Sequence, residues 1–266
     1  MTILHRPRRF PRGAGLALAL LAAGCASAHP APAPPPPPPG AEAHHRAAET
    51  ATADPAAALP LFEDALRAAP DDLRYGADYR QAVIAAGAYD RAIDFFASLV
   101  AEHPEAVNLR LNQAFAFVDK IPAAGSVTAV ILANKSIETF TAALDLRETW
   151  LGLYSRGNAY VYWPPIFHRT KLGIADLEKA IELAGQGPKE PYQARAWAAL
   201  GDAYWRLKDL ETARKTWREG LEHYPGTPYL ERRLALDDDA LDDFLGKHYQ
   251  VGSRVDTSLH ELWESP

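Results

Sequence analysis

The chain has 266 residues, enough for one large domain or two small ones. Its formal net charge is −6, and the first 24 residues contribute four arginines and no acidic residue. Without those arginines, 24 lysines and arginines stand against 34 acidic residues, so the remainder carries a charge near −10. A surface this acidic repels phosphate groups, which argues against a nucleic-acid partner.

The first 24 residues have the pattern of a secretory signal peptide. The arginines are followed by an apolar run from Ala14 to Gly24. A basic segment before about eleven apolar residues is typical of a secretory signal, and the run is too short to span a bilayer as a helix. We therefore expect residues 1–24 to be a signal peptide.

Cys25 is the only cysteine, and it directly follows Leu21-Ala22-Ala23-Gly24. This arrangement resembles the lipobox of bacterial lipoproteins, which implies that Cys25 is acylated and anchors the protein in a membrane. An ordinary cleavable signal ending near Ala28 is the alternative. Aspartate after the cysteine would favour the inner membrane, so Ala26 implies the periplasmic face of the outer membrane.

A proline-rich segment follows, with six consecutive prolines from Pro34 to Pro39. Proline fixes φ and lacks an amide donor, so we expect the stretch up to Pro39 to be polyproline II within a tether that covers residues 25–53. A ligand for a polyproline-binding partner is the alternative. His44 and His45 could bind a metal, but no third ligand lies near them in the sequence, and we expect both to be solvated.

A repeat pattern follows the tether and is clearest towards the C-terminus. One unit matches every marked position of the pattern W-x₂-L-G-x₂-Y…A-x₃-F…P, with tryptophan in place of phenylalanine. Its residues are Trp197, Leu200, Gly201, Tyr204, Ala213, Trp217 and Pro225. Gly201 and Ala213 are small where two helices would cross, and Pro225 ends the second helix. Pro70 and Pro104, which lie 34 residues apart, mark two earlier units.

These residues resemble the tetratricopeptide repeat (TPR) superfamily. The resemblance implies an all-α, right-handed superhelical solenoid of about five helix pairs over residues 54–228. Insertions near residues 121–133 and 163–169 interrupt the pattern. Residues 229–266 are expected to supply a charged capping helix and a tail with a short helix near Val255–Trp263. The aspartates of the cap lack the spacing of a calcium loop.

The sequence contains no nucleophile elbow, zinc-protease motif, phosphate loop or dinucleotide fingerprint. It therefore predicts no catalytic residues, no metal and no cofactor. His168 is a candidate for recognition because it lies in the second insertion, and inserted loops tend to carry function. The alternative is that Trp163, Ile166 and Phe167 only fill a gap and leave His168 exposed.

In TPR domains the first helix of each pair lines a concave groove, which implies a protein or peptide partner there. The positions that correspond in the last two repeats are Tyr154, Asn158, Tyr162, Asp202, Trp205 and Arg206. Trp, Tyr and Arg are the residue types that dominate binding energy. The alternative for Trp205 is that its ring packs against the preceding repeat or the 163–169 loop.

The expected function is a protein-interaction adaptor or assembly scaffold, held on the membrane through Cys25. The rival interpretation is a ligand-binding accessory lipoprotein of a substrate-uptake transporter. The two insertions distinguish these interpretations. If they close over a cavity, a small-molecule ligand is favoured, and if they leave an open groove, a protein partner is favoured.

We predict that Cys25→Ser releases the protein from the membrane or blocks its processing, because serine lacks the thiol that carries the lipid. Membrane fractionation and incorporation of a labelled fatty acid measure the effect. Ser27→Ala is the matched control and should behave as the wild type. A wild-type protein that incorporates no fatty acid would contradict lipidation.

Overall fold

The computed structural model describes residues 36–250 and 252–263. In this part of the chain the regular elements are all helices, without a strand. The twelve α-helices are α1 (Ala41–Ala53), α2 (Pro55–Ala68), α3 (Leu73–Ala86), α4 (Tyr89–Glu102), α5 (Val107–Lys120), α6 (Ser126–Leu146), α7 (Trp150–Tyr162), α8 (Thr170–Ala184), α9 (Ala194–Arg206), α10 (Leu210–His223), α11 (Pro228–Ala235) and α12 (Asp238–His248). The predicted signal peptide and Cys25 lie outside the described residues.

None of the helices described is both long and apolar enough to cross a lipid bilayer.

Local sequence signals set the helix ends. The Asp54 side chain accepts the amide of Ala57 at the start of α2, with Pro55 in the first helical position. Asp72 caps α3 in the same way, and Gly87 ends it with φ of 67°, a left-handed conformation that favours glycine. The predicted bounds of α3 and α5 are confirmed.

The helices form a solenoid of five pairs, from α1–α2 to α9–α10, in which neighbours along the chain pack together. First helices of successive pairs also touch, α3 against α5 and α7 against α9. We call the side formed by α3, α5, α7 and α9 the A-helix face. The predicted all-α solenoid is confirmed.

The first pair begins earlier than predicted. Helix α1 lies within residues 25–53, which were expected to be tether throughout. It is a packed helix because Ala47 is fully buried and the His44 ring stacks on Tyr75, with centroids 4.3 Å apart. His44 Nε2 also lies 2.8 Å from Asp78 Oδ2. The expectation that His44 is solvated is therefore wrong, whereas His45 is exposed.

Helices α9 and α10 cross where the repeat motif predicts. Trp217 is fully buried, and its Nε1 donates to the Ala198 carbonyl at 3.2 Å. A Cβ built on Gly201 would lie 2.1 Å from Trp217 Nε1, far inside contact distance. Glycine is required at this crossing because the indole ring occupies the space of a side chain.

The C-terminal part differs from its prediction in two ways. The single capping helix is instead two helices, α11 and α12, and Asp237 caps the second by accepting the amide of Ala240. The short helix expected near Val255–Trp263 is only a 3-10 turn at His260–Leu262. Leu259 has φ of 61°, which interrupts a regular helix at that point.

Residues 252–263, which we call the tail, return across the A-helix face. Arg80 on α3 is fully buried, and its guanidinium donates to the Thr257 carbonyl (2.8 Å), Asp119 (2.9 Å) and Asn112 (3.0 Å). The Thr257 hydroxyl donates to the other oxygen of Asp119. These bonds hold Thr257 in a non-helical conformation. Leu259 and Leu262 pack against the apolar cluster of α5, α6 and α7.

We predict that Gly201→Leu lowers the free energy of unfolding by about 1–3 kcal/mol or more, because the new side chain must displace Trp217. Chemical denaturation of the purified domain measures this. Gly246→Leu is the control, since a Cβ there meets nothing within 4 Å. Equal stability of the two variants would contradict the crossing geometry.

We predict that Thr257→Val costs about 1–3 kcal/mol, because the buried Asp119 carboxylate loses a donor that valine cannot replace. Tail release is measured by trypsin cleavage after the exposed Arg254, which should become faster. Ser253→Ala is the control, because its hydroxyl bond to the His248 carbonyl is exposed. Unchanged cleavage and stability in Thr257→Val would show that the tail is not held here.

Candidate functional site

The A-helix face is covered at the last repeats by α11 and α12. Asp202 of α9 is buried and accepts from Arg233 of α11 through both carboxylate oxygens, each at 2.6 Å. Tyr249, which follows α12, donates its hydroxyl to Asp202 at 2.8 Å. Burial raises the pKa of Tyr249 well above its ordinary value, and the charge of Asp202 adds to this. Asp202 therefore serves the protein's own packing.

Trp205 is also covered. Its ring is 9% exposed, lies 6.4 Å from the Tyr249 ring between centroids, and its Nε1 donates to Asp242 of α12. The expectation that Asp202 and Trp205 lie open to a partner is wrong, because α12 occupies that side. The alternative placed Trp205 against the preceding repeat or the 163–169 loop, and the ring belongs to a buried cluster that includes Val161 of the preceding repeat as well as Leu241 and Leu245 of α12. The i, i+4 pair Leu241 and Leu245, both fully buried, is the sequence signal for this contact.

Arg206 and Tyr162 join the same covered region. Arg206 donates to the Trp163 carbonyl at 2.7 Å and lies over the Tyr249 ring. The Tyr162 hydroxyl is 3.2 Å from Nε2 of His248. Burial lowers the pKa of His248 below its ordinary value, so the imidazole is neutral near pH 7.

The two insertions take helical form. The first contains a 3-10 turn at Ile121–Ala123, after which α6 begins at Ser126, eight residues before the expected helix start at Asn134. The second contains a 3-10 turn at Pro165–Phe167. This turn ends at His168, whose φ is 56°. Arg169 links the insertions, because it stacks on Trp163 and donates to Asn134 at 2.9 Å.

The insertions help to line a half-open cavity of about 290 Å³ between α5, α6, α7 and the tail. Three of the predicted groove residues lie in its wall, namely Tyr154, Asn158 and Tyr162. The first insertion contributes Val130 and the second contributes Phe167. The sequence placed Tyr154, Asn158 and Tyr162 in the concave groove and left open whether the insertions form a cavity, because the path of the tail could not be foreseen.

The insertions also expose several large apolar side chains, which we call the insertion face, and two of them, Val130 and Phe167, line the cavity as well. Val127 and Ile166 are each 78% exposed. The remaining members, Val130, Ile131 and Phe167, are each about half exposed. His168 lies exposed beside them, as the alternative to its recognition role expected, but Ile166 and Phe167 do not fill a gap as that alternative also expected, whereas Trp163 is buried. Its role in binding stays a prediction.

Within residues 36–250 and 252–263, no group of three or more His, Cys, Asp or Glu side chains is arranged to hold a metal ion.

Comparison with known proteins finds matches in both halves of the solenoid. Tetratricopeptide repeat family models match residues 50–124 and residues 194–237. The first match includes α2 to α5, and the second includes α9 to α11. The segment between them, residues 125–193, contains most of the two insertions. No curated protein matches the sequence.

Two solved structures share the fold. A thermophilic TPR protein of Thermus thermophilus is 20% identical, with a TM-score of 0.54 over 74% of this chain and 97% of that chain. A tetratricopeptide repeat protein of Parabacteroides merdae is 15% identical, with a TM-score of 0.50 over 83% of this chain and 78% of that chain. The motif, the helix pairs and these matches agree, and the chain belongs to the tetratricopeptide repeat superfamily.

Proposed function

We propose that this chain is a lipoprotein of the bacterial envelope, anchored through Cys25 on the periplasmic face of the outer membrane, and that its solenoid is an interaction scaffold. TPR repeats support a protein-interaction or scaffold role. The position of Cys25 after Leu21-Ala22-Ala23-Gly24 supports the anchor, and Ala26 supports the choice of membrane. The proposed role is binding without catalysis.

The insertion face is the observation that carries the interaction role. Its five apolar side chains are about half exposed or more, with Val127 and Ile166 the most exposed. Exposed apolar side chains that cluster in this way mark interaction sites more often than isolated ones do. The A-helix face at the last repeats is a weaker candidate, because α12 would have to leave before a partner reached Trp205.

Charge indicates the chemistry of the partner. No aspartate or glutamate occurs from residue 120 to 137 or from 163 to 175, although the whole chain is acidic. Lys135 and Lys171 lie in these stretches. The fitting partner is a protein with an apolar surface flanked by acidic residues.

We predict that Val127→Asp/Ile166→Asp weakens binding of the partner at least tenfold and leaves the melting curve nearly unchanged, because both side chains are exposed. The partner is first identified by crosslinking in membranes, and its affinity is then measured with purified proteins. Leu146→Asp is the control, an exposed leucine about 28 Å further along α6.

Equal affinity of the partner for the wild type and the double variant would remove the insertion face as the site. Equal loss of affinity in Leu146→Asp would show that added negative charge alone acts at a distance.

A ligand-binding accessory lipoprotein is the second candidate function. The observation that favours it is the half-open cavity of about 290 Å³, because both insertions contribute residues to its wall. Ligand pockets in proteins begin at about 300 Å³, so the cavity lies at the lower end of that class.

A further inference from the structure

We propose that the cavity between α5, α6, α7 and the tail binds an uncharged, largely apolar small molecule that carries one hydrogen-bonding group. This inference rests on the second candidate function and names its ligand class. The cavity shares Val130 and Phe167 with the insertion face, but the inference does not depend on a protein partner.

The size of the cavity admits more than a single ring. An apolar cavity of about 150 Å³ is enough to bind benzene, and this one holds about 290 Å³. Apolar wall residues come from each side, including Phe115 of α5, Phe140 of α6 and Leu259 of the tail. A bicyclic aromatic molecule or a medium-length alkyl chain fits that space.

Charge in the wall excludes a charged ligand. Among the described residues, no lysine, arginine or histidine lines the cavity. An anionic ligand would therefore enter an apolar space without a counter-ion, which is unfavourable. Asp256 is the one ionised residue in the wall, but it is exposed and already accepts the amide of Ser258 at 3.0 Å. Because Asp256 is exposed, its charge does not lie in the interior of the cavity.

Two polar side chains of α7 supply the hydrogen bonds. Asn158 is half-buried in the wall, and its amide has no hydrogen bond to any described residue. An amide can both donate and accept, so it suits a hydroxyl or a carbonyl. Ser155 lies one turn earlier, and its buried Oγ also lacks a partner among the described residues. Unsatisfied polar groups beside an apolar space indicate where a ligand's polar group belongs.

The tail forms one wall of this site. Val255, Thr257 and Leu259 line the cavity, yet the tail has no regular structure until its 3-10 turn. The Arg80 and Asp119 bonds to Thr257 therefore hold the cavity closed from one side. A ligand inside would add contacts to the docked tail and stabilise it.

Calorimetric titration of the chain from residue 26 onward tests the proposal with four matched probes. These are 2-naphthol, naphthalene, 2-naphthoate and 2-naphthylmethylammonium. We expect 2-naphthol to bind with a dissociation constant on the order of 100 µM or tighter. Naphthalene should bind roughly threefold to tenfold more weakly for lack of a hydrogen bond. The two charged probes should bind at least tenfold more weakly than 2-naphthol.

Two variants and one control variant, Val127→Phe, locate the site. Ala133→Phe fills the cavity and should weaken 2-naphthol binding at least tenfold, whereas Val127→Phe on the exposed side of α6 should leave it unchanged. Asn158→Leu should remove the preference for 2-naphthol over naphthalene while naphthalene still binds. This second variant tests the polar contact even if Ala133→Phe fails to fold.

Different outcomes would contradict the proposed ligand class and the ligand-binding function itself. If a charged probe binds as tightly as 2-naphthol, the proposed class is wrong but the second candidate function stands. If the wild type binds none of the probes, or Ala133→Phe binds like the wild type, the cavity is not a ligand site. The scaffold function fails separately, through the insertion-face variants.

Discussion

A buried carboxylate on the A-helix face determines which part of the solenoid surface stays accessible to a partner. Asp202 is almost fully buried and cannot remain there as an unpaired charge, so Arg233 and Tyr249 must accompany it. Because these two residues belong to the segment after the last repeat, pairing them with Asp202 brings α11 and α12 over α9. Removing one partner of such a buried pair typically costs about 3–5 kcal/mol.

A second buried cluster fixes the tail further along the same face. Arg80 and Thr257 are 177 residues apart in sequence, yet they share a hydrogen bond in the interior. Burial raises the pKa of Asp119, and the charge of Arg80 and the Thr257 hydrogen bond oppose that rise. Together the two clusters close the A-helix face and give the cavity a wall. Recognition is then left to the insertion face and to the cavity.

The sequence predicts the elements that short-range chemistry determines. The bounds of α3 follow from the Asp72 cap and Gly87, those of α5 follow from the repeat length and Pro122, and the crossing of Gly201 with Trp217 follows from the motif. Helix α1 was missed because its alanines and polar residues give no clear apolar stripe after a run of prolines. Its burial depends on Tyr75 and Asp78, which lie on the next pair.

The candidate site was predicted in part. Tyr154, Asn158 and Tyr162 were recognised from repeat positions, and the two insertions were recognised as departures from the pattern. The cavity could not be predicted, because its last wall is a tail whose partners lie on α3 and α5. The burial of Trp205 could not be predicted either, because it depends on how the chain turns after α11 and places α12 against α9.

The central claim is that α12 is a packed part of the solenoid and covers the A-helix face. Hydrogen–deuterium exchange of the chain from residue 26 onward tests it most directly. Leu241 and Leu245 are fully buried, so the amides of α12 should exchange about as slowly as those of α9 and α10. Exchange of α12 within seconds, with α9 still protected, would show a frayed terminal helix and an open face.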